Sequence, residues 1–398
     1  MTRTFLQKKI LILYCSTFDP NLTHRASTSI YGSSYLRAGI QPVFLDIAEK
    51  ESTETALHLA KDPDVIAIHC EQGWGLDLQL PNSDMSLFDI LDKPVVTHIR
   101  DHPFCPWLLP KIIAAPRRAV LAFTDGDAVE YCKAAELVEA KTVLFEPHIY
   151  LPINDWHAGN NRVPMRNREF KFLYAGTYQP PEDARSAYLK NHNEFSQAFD
   201  ALVETALHSD GVALWQRGRE IATDLNVFES LTAPSFTNLL FQANQFIRHE
   251  KRRALLKRFA KFPMHLIWRG PLPDFSFHPE TTVAEPTNFV ELNQLLQRSR
   301  AMVMSLNNFQ ASLSERLLNA MLHSATVWCS PTPFMKKHFE HSKDFIDYSD
   351  ESMTDDQISD LLHNNAYLDE ISNNAQPKAM KFSPDQHITR MIDAIEKV

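Results

Sequence analysis

Apolar residues in this chain gather in short continuous runs, separated by segments in which they recur every three or four positions. The runs Lys9–Cys15, Pro42–Asp46, Val65–His69, Val95–Ile99, Val120–Phe123 and Thr142–Phe145 are rich in Val, Ile and Leu, as expected of strands buried on both faces. Between them the spacing predicts helices over Ser29–Ala38, Thr53–Ala60, Met85–Leu91, Trp107–Ala114 and Asp127–Ala135. Strand alternating with helix predicts a parallel sheet covered on both sides.

The pattern breaks over residues 151–168, which hold Pro152, Pro164 and the run Gly159-Asn160-Asn161 and read as a linker. A second series follows. It comprises a strand at Phe170–Ala175, helical stretches at Ser186–Leu207 and Phe236–Phe262, strands at Met264–Trp268 and Thr281–Ala284, and a helix at Phe289–Arg298. Next come a buried strand Ala301–Leu306, a polar loop Asn307–Gln310, a helix opening at Ser312 and a strand Ala325–Cys329. Ser312-Leu313-Ser314-Glu315 has the Ser-x-x-Glu form of a capping box, and Leu313, Leu317 and Met321 make one apolar stripe. The last stretch, Gln386–Val398, carries Ile388, Met391, Ile392 and Ile395 on one side of a helix that must dock.

The expected fold class is therefore α/β, with two Rossmann-like, doubly wound domains and a C-terminal helix returning to the first. The boundaries read as 1–160 and 169–380, with a helical insertion at about 182–262, and 381–398 for the returning helix. A length of 398 residues agrees with two domains.

A formal charge of −9 gives no reason to expect nucleic acid. The one dense basic run, Arg248–Arg253 with Lys257-Arg258, reads as a solvated helix face. Cys15, Cys70, Cys105, Cys132 and Cys329 form no Cys-x-x-Cys pair and no zinc spacing, which fits a reducing compartment. No secretory core is read at the start and no apolar run reaches membrane-spanning length. A cytoplasmic location, with at most peripheral contact at an inner membrane, is expected. Oligomeric state is not legible.

In open α/β sheets, ligands bind outside the carboxyl ends of the strands. In the first half those ends carry Asp19, then Glu71 and Trp74, then His98, Arg100, Asp101 and His102, then Asp125 and Asp127, then Glu146 and His148. This predicts a polar edge rich in His and carboxylates. Asp19, Glu71, Asp101 and His102 are the acid–base candidates. His102 is favoured because an imidazole near neutral pKa suits proton abstraction. In the second half, the helix start at Ser312–Arg316 offers free amides to an anion, and Arg316 in a first turn calls for a negative partner. No Gly-x-Gly-x-x-Gly follows the first strand, no Gly-x4-Gly-Lys-Ser/Thr or Gly-x-Ser-x-Gly occurs in the sequence, and no strand-end Asp-x-Asp stands in the second half, Asp125-Gly126-Asp127 lying in the first.

Phe172-Leu173-Tyr174-Ala175-Gly176-Thr177-Tyr178, Phe246-Ile247-Arg248 with Arg252-Arg253, Glu285-Pro286-Thr287-Asn288, Ser305-Leu306-Asn307 and Ser314–Met321 together resemble GT-B glycosyltransferases. Within that fold the chain is most similar to bacterial glycosyltransferases of the spore-maturation, CgeB-like type (glycosyl transferase group 1-like). The resemblance implies a nucleoside-diphosphate sugar as donor, no bound cofactor or metal, and a glycan, lipid-linked or protein acceptor in cell-surface glycan synthesis. It implies that Glu285 and Pro286 meet the base, and that Ser312, Ser314, Glu315 and Arg316 meet the pyrophosphate. Thr177, Arg269, Gly270 and Asn307 would line the donor site, and Asn319 would bond the ribose where relatives carry Glu. Trp74, His98, Arg100 and His148 would then face the acceptor. Two other readings stay open: an epimerase of the same fold, and a non-catalytic nucleotide- or sugar-binding scaffold.

Overall fold

The Val-, Ile- and Leu-rich runs become the strands of two parallel sheets, because runs with no polar face need cover on both sides. The computed structural model describes residues 8–18, 23–49, 51–80, 85–91, 93–138, 141–150, 163–190, 192–208, 212–306, 311–349 and 353–398. The chain divides into two compact units, 1–151 with 382–398, and 152–381.

The first unit runs β1 (Lys9–Tyr14), α1 (Thr23–Arg37), β2 (Gln41–Asp46), α2 (Ser52–Ala60), β3 (Val65–Glu71), α3 (Leu87–Ile90), β4 (Val95–Ile99), α4 (Leu109–Ala114), β5 (Ala119–Phe123), α5 (Gly126–Ala134) and β6 (Thr142–Phe145). Its sheet has the order β2-β1-β3-β4-β5-β6, all pairs parallel. Every residue of β4 and β5 is buried.

The second unit runs β7 (Phe170–Thr177), α6 (Pro181–Leu189), α7 (Ser196–His208), α8 (Leu214–Asp224), α9 (Pro234–Phe259), β8 (Met264–Arg269), β9 (Thr282–Ala284), α10 (Phe289–Arg298) and β10 (Ser299–Met304). It continues through α11 (Glu315–Leu322), β11 (Thr326–Cys329), α12 (Pro333–His338), β12 (Ile346–Asp347), α13 (Asp355–His363) and α14 (Asn365–Ala379). Its sheet has the order β12-β11-β10-β7-β8-β9, again parallel throughout. One side is sealed by Phe172, Phe259, Trp268 and Trp328.

The last helix, α15 (Pro384–Ile395), returns to the first unit and packs on α1, β4 and β5. Ile388 and Met391 are fully buried there, each contributing about 2 kcal/mol through burial. Polar contacts fix the docking. Glu146, just past β6, accepts 2.7 and 2.8 Å bonds from Arg390 Nε and lies 3.2 Å from His387 Nδ1. Arg37 on α1 grips Asp385 with Nε at 3.0 Å from both carboxylate oxygens.

Three expectations about local structure are corrected. The helix foreseen from Ser312 starts at Glu315 with Ser314 as N-cap, and Ser314 makes no side-chain cap bond. The capping box fails because Ser312 is drawn into the interior, where its carbonyl accepts Thr332 Oγ1 at 3.3 Å. The helical stretch foreseen over Ser186–Leu207 is split between two helices, α6 and α7, with a separate turn at Asn193–Phe195. The basic run on α9 is a solvated face only in part, since Lys257 is exposed while His249 and Arg252 are both buried.

Candidate functional site

Each sheet has one place where the strand order reverses, and parallel α/β sheets hold ligands at such points. In the second unit the chain builds outward from β7 through β8 to β9, then crosses back to place β10 on the other side of β7. The ladder between β7 and β10 stops at Leu173↔Met302. Beyond it β7 stays with β8 to Thr177↔Arg269, while β10 stays with β11 to Met304↔Cys329. The two strands therefore part at their carboxyl ends. β7 carbonyls there have no ladder partner on the β10 side.

Two guanidinium groups take those carbonyls. Arg316, in the first turn of α11, donates through Nη1 to Ala175 O. Arg252, from the middle of α9, donates through Nη1 to Thr177 O. Arg252 is only 5% exposed. Burial first, then the neighbouring Arg248, push its guanidinium down to about 9, with Arg316 acting in the same direction. At neutral pH it is still charged. Among the described residues neither Arg252 nor Arg316 forms an ion pair with a carboxylate. Like charges assembled without a counter-charge are costly, and an anion at the same point relieves that cost. The start of α11, capped by Ser314 without a side-chain bond, adds main-chain amides from the same direction.

The rim of this point is shaped by the exits of β7 and β8. Tyr178 N donates to Arg269 O at 2.9 Å, bringing the two exits together just before Gly270. Gly270 has φ +105°, and a Cβ there would lie 2.0 Å from Tyr178 O. Gly270→Ala is expected to cost about 2–3 kcal/mol. Thermal unfolding checks this; an unchanged Tm would contradict the close approach.

The remaining donor candidates are distributed unevenly. Thr177, Arg269, Gly270, Ser314, Glu315 and Arg316 lie on the exits of β7 and β8 or the start of α11. Ser312 is wholly buried. Asn319 is buried in the second turn of α11. Glu285 and Pro286 follow β9, the edge strand, about 10 Å from β7 by two strand spacings. Asn307 lies outside the described residues. His249 and Arg252 were missed as site residues. The available signal was Arg248 and Arg252, one turn apart on one helix face and four residues from each other.

In the first unit the reversal lies between β1 and β3. Glu71, at the end of β3, is fully buried and accepts Ser27 Oγ at 2.8 Å and Arg100 Nη2 at 2.7 Å. Its carboxylate is thus committed to structure. Gln72 has φ +54° and ties the exits of β3 and β4 together. Its Oε1 accepts Arg100 N at 2.7 Å, and its Nε2 donates to Asp101 Oδ2 at 2.8 Å. Asp101 is exposed.

His102 turns the other way. Its ring stacks on Phe104 at 3.9 Å and meets Tyr131 edge-on at 5.3 Å. Burial there pushes its pKa down to about 3, and Nδ1 faces Phe104 N at 3.4 Å. An imidazole so hard to protonate is a weak general base. This counts against the role favoured for it. His98 and His148 are interior residues rather than strand-end contacts. His98 bonds Tyr31 OH and lies 4.4 Å from the His387 ring. Burial, then His387 and Arg100, push its pKa well down. Trp74 is half-buried beneath Lys111, whose Nζ sits 4.5 Å from the ring centre. Asp19 lies outside the described residues. Among the described residues no group of three or more His, Cys, Asp or Glu is arranged to hold a metal ion. None of their helices is long and apolar enough to cross a membrane.

No protein-family model and no curated protein matches the chain. Among solved structures it is similar to an alpha-glucosyltransferase in complex with UDP, with TM-score 0.59 and 12% identity, over 98% of this chain and 99% of that chain. An alpha-glucosyltransferase in complex with UDP-glucose and DNA containing an abasic site matches with TM-score 0.57 and 13% identity, again over 98% of this chain and 99% of that chain. At such identity the likeness speaks for the fold. This chain has the architecture of the GT-B glycosyltransferases.

Proposed function

We propose that this protein is a glycosyltransferase that moves a sugar from a nucleoside-diphosphate sugar to an acceptor hydroxyl. The observation that carries the reading is the meeting of Arg252, Arg316 and the start of α11 where β7 and β10 part. A diphosphate supplies the negative charge that this point lacks among the described residues. When the bond from sugar to diphosphate breaks, charge grows on the leaving phosphate. Fixed guanidiniums and amides stabilise that charge as it develops. In this reading they do so without a metal ion, and no further cofactor takes part.

The donor is assigned to the second unit and the acceptor to the first. Asp101, exposed and oriented by Gln72, is the carboxylate best placed to meet an acceptor hydroxyl. His102 shapes the loop behind it. The structural neighbours that bind UDP or UDP-glucose support a uridine donor. The neighbour that carries DNA does not extend to the acceptor here, because a net charge of −9 disfavours a polyanion. Membership of the bacterial spore-maturation, CgeB-like group, a role in cell-surface glycan synthesis and a cytoplasmic site of action belong to the same proposal. The motifs around Phe172–Tyr178 and Ser314–Met321 support the first two, and five cysteines without a Cys-x-x-Cys pair support the third.

The test is incubation with a panel of nucleotide sugars and acceptors, with product masses read by mass spectrometry. Acceptor-dependent release of nucleoside diphosphate is expected. A donor epimerised without acceptor would mark an epimerase, and binding without turnover across the panel would mark a scaffold.

A further inference from the structure

We infer that the exits of β3 and β4 carry an aromatic platform, with Trp107 as its open face, that takes a pyranose ring of an uncharged carbohydrate acceptor. The inference rests on the transferase reading and names its acceptor class.

Trp74 follows β3 and Trp107 follows β4, on adjacent strands at their carboxyl ends. Their rings are nearly parallel, 12° apart, with centroids 6.0 Å from each other. Trp74 is fixed from several sides. The turn that carries it has left-handed backbone at Gln72, Gly73 and Gly75, with φ 54°, 74° and 97°. Gly73 N donates to Thr97 Oγ1 at 2.9 Å. Lys111, held by Asp77 at 2.8 and 2.9 Å, covers the Trp74 ring. Trp107 is thus backed by a rigid partner while remaining 38% exposed.

A flat indole with a preset position suits two kinds of ligand, a sugar ring and a nucleobase. Both lay a flat face on the electron-rich ring. Charge decides between them. Residues 71–92 contain Glu71, Asp77, Asp84, Asp89 and Asp92 and no Lys or Arg. Residues 100–115 contain only Arg100 and Lys111 as Lys or Arg, and both are ion-paired, with Glu71 and Asp77. A phosphate backbone needs free cations beside its stacked bases, and these two exits offer none. The exposed carboxylate of Asp101, held in place by the buried Gln72 on the same two exits, is a group that bonds hydroxyls.

Tryptophan fluorescence titrations with maltotetraose, cellotetraose, chitotetraose and oligothymidylate test the platform, using wild type, Trp107→Ala and Trp107→Phe. UDP affinity is measured in parallel by calorimetry and serves as the control for folding. At least one tetrasaccharide is expected to bind. Trp107→Ala should weaken it about tenfold, and Trp107→Phe should retain most of the affinity. Absence of tetrasaccharide binding, equal affinity in Trp107→Ala, or tighter binding of oligothymidylate would each overturn the platform. Tetrasaccharide binding that depends on Trp107, in a protein that does not bind UDP, would support the platform and sink the transferase reading. UDP binding with no tetrasaccharide binding would do the reverse.

Discussion

Arg316→Ala is expected to weaken UDP binding about 10- to 100-fold, the worth of one to two charge-assisted hydrogen bonds in a sheltered site. Arg316→Lys should recover only part of this, because an ammonium cannot reproduce the planar fork that reaches both a carbonyl and a phosphate. Arg252→Met should lose affinity to a similar degree. Its effect on the free protein separates a functional role from a structural one. Arg248 and Arg316 both bear electrostatically on Arg252, so removing that charge relieves repulsion. The Tm of the unliganded Arg252→Met protein should therefore hold or rise while UDP binding falls, the pattern of a site that trades stability for binding. A lowered Tm with unchanged UDP affinity would make Arg252 a brace for the end of β7 and nothing more.

Mild acid is expected to destabilise both units well above the range in which carboxylates titrate. His98 and His387 are buried in the first unit, and His249 and His323 in the second. Burial is the leading cause that lowers each of them, to about 4 for His249 and His323. Arg252 and Arg248 lower His249 further, and Arg168 lowers His323. For His387 the nearby Glu146 opposes the shift without reversing it.

The sign follows from proton counting. Below about pH 6.5 the unfolded chain takes up a proton at each of these histidines while the folded chain does not, so stability falls as pH falls. A histidine whose folded pKa lies near 4 gives a slope of up to about 1.4 kcal/mol per pH unit, so His249 and His323 together give up to about 3 kcal/mol per pH unit in the second unit, and His98 and His387 add a loss of the same sign in the first. Glu146 adds a later loss. Burial alone would raise its pKa, but the bonds from His387 and Arg390 hold it below the ordinary carboxylate range. Its contribution is complete above the unfolded glutamate pKa and is lost as pH falls through the folded value. Calorimetric scans from pH 7.5 to 5 should show Tm falling steadily from near pH 6.5. A flat Tm down to pH 5 would contradict the buried neutral histidines.

The strands were legible because burial on both faces writes itself as a continuous apolar run. Val95–Ile99 matches β4 end to end and is wholly buried, and Thr142–Phe145 matches β6, an edge strand that is apolar but only half-buried. The amphipathic stripe of the last helix also announced α15, since Ile388 and Met391 had to be covered. Most of what lies between residues 333 and 381 escaped reading. β12 has two residues, and α14 contains Pro377 with several asparagines, so its helix owes more to burying Leu368, Ile371 and Ala375 than to propensity.

The site was legible in part, for the same kind of reason. The helix start that carries Arg316 was visible in the sequence, and the resemblance to GT-B enzymes pointed to Thr177 and Arg269; the three lie at the ends of β7 and β8 and the start of α11. What the exits do is decided by packing across long separations. Arg252 reaches Thr177 across 75 residues, and Glu71 is neutralised by Arg100 across 29. Neither pairing is marked by local pattern. His102 had the right residue type, but its basicity is set by Phe104 and Tyr131, and only the fold brings Tyr131 to its ring.

A crystal structure of the protein grown with UDP bears on the central claim most directly. The account predicts both phosphates at the parted ends of β7 and β10, within hydrogen-bond reach of the Arg252 and Arg316 guanidiniums and the first amides of α11. Diphosphate density anywhere else on the second unit, with those two arginines still bonded only to the β7 carbonyls, would contradict it.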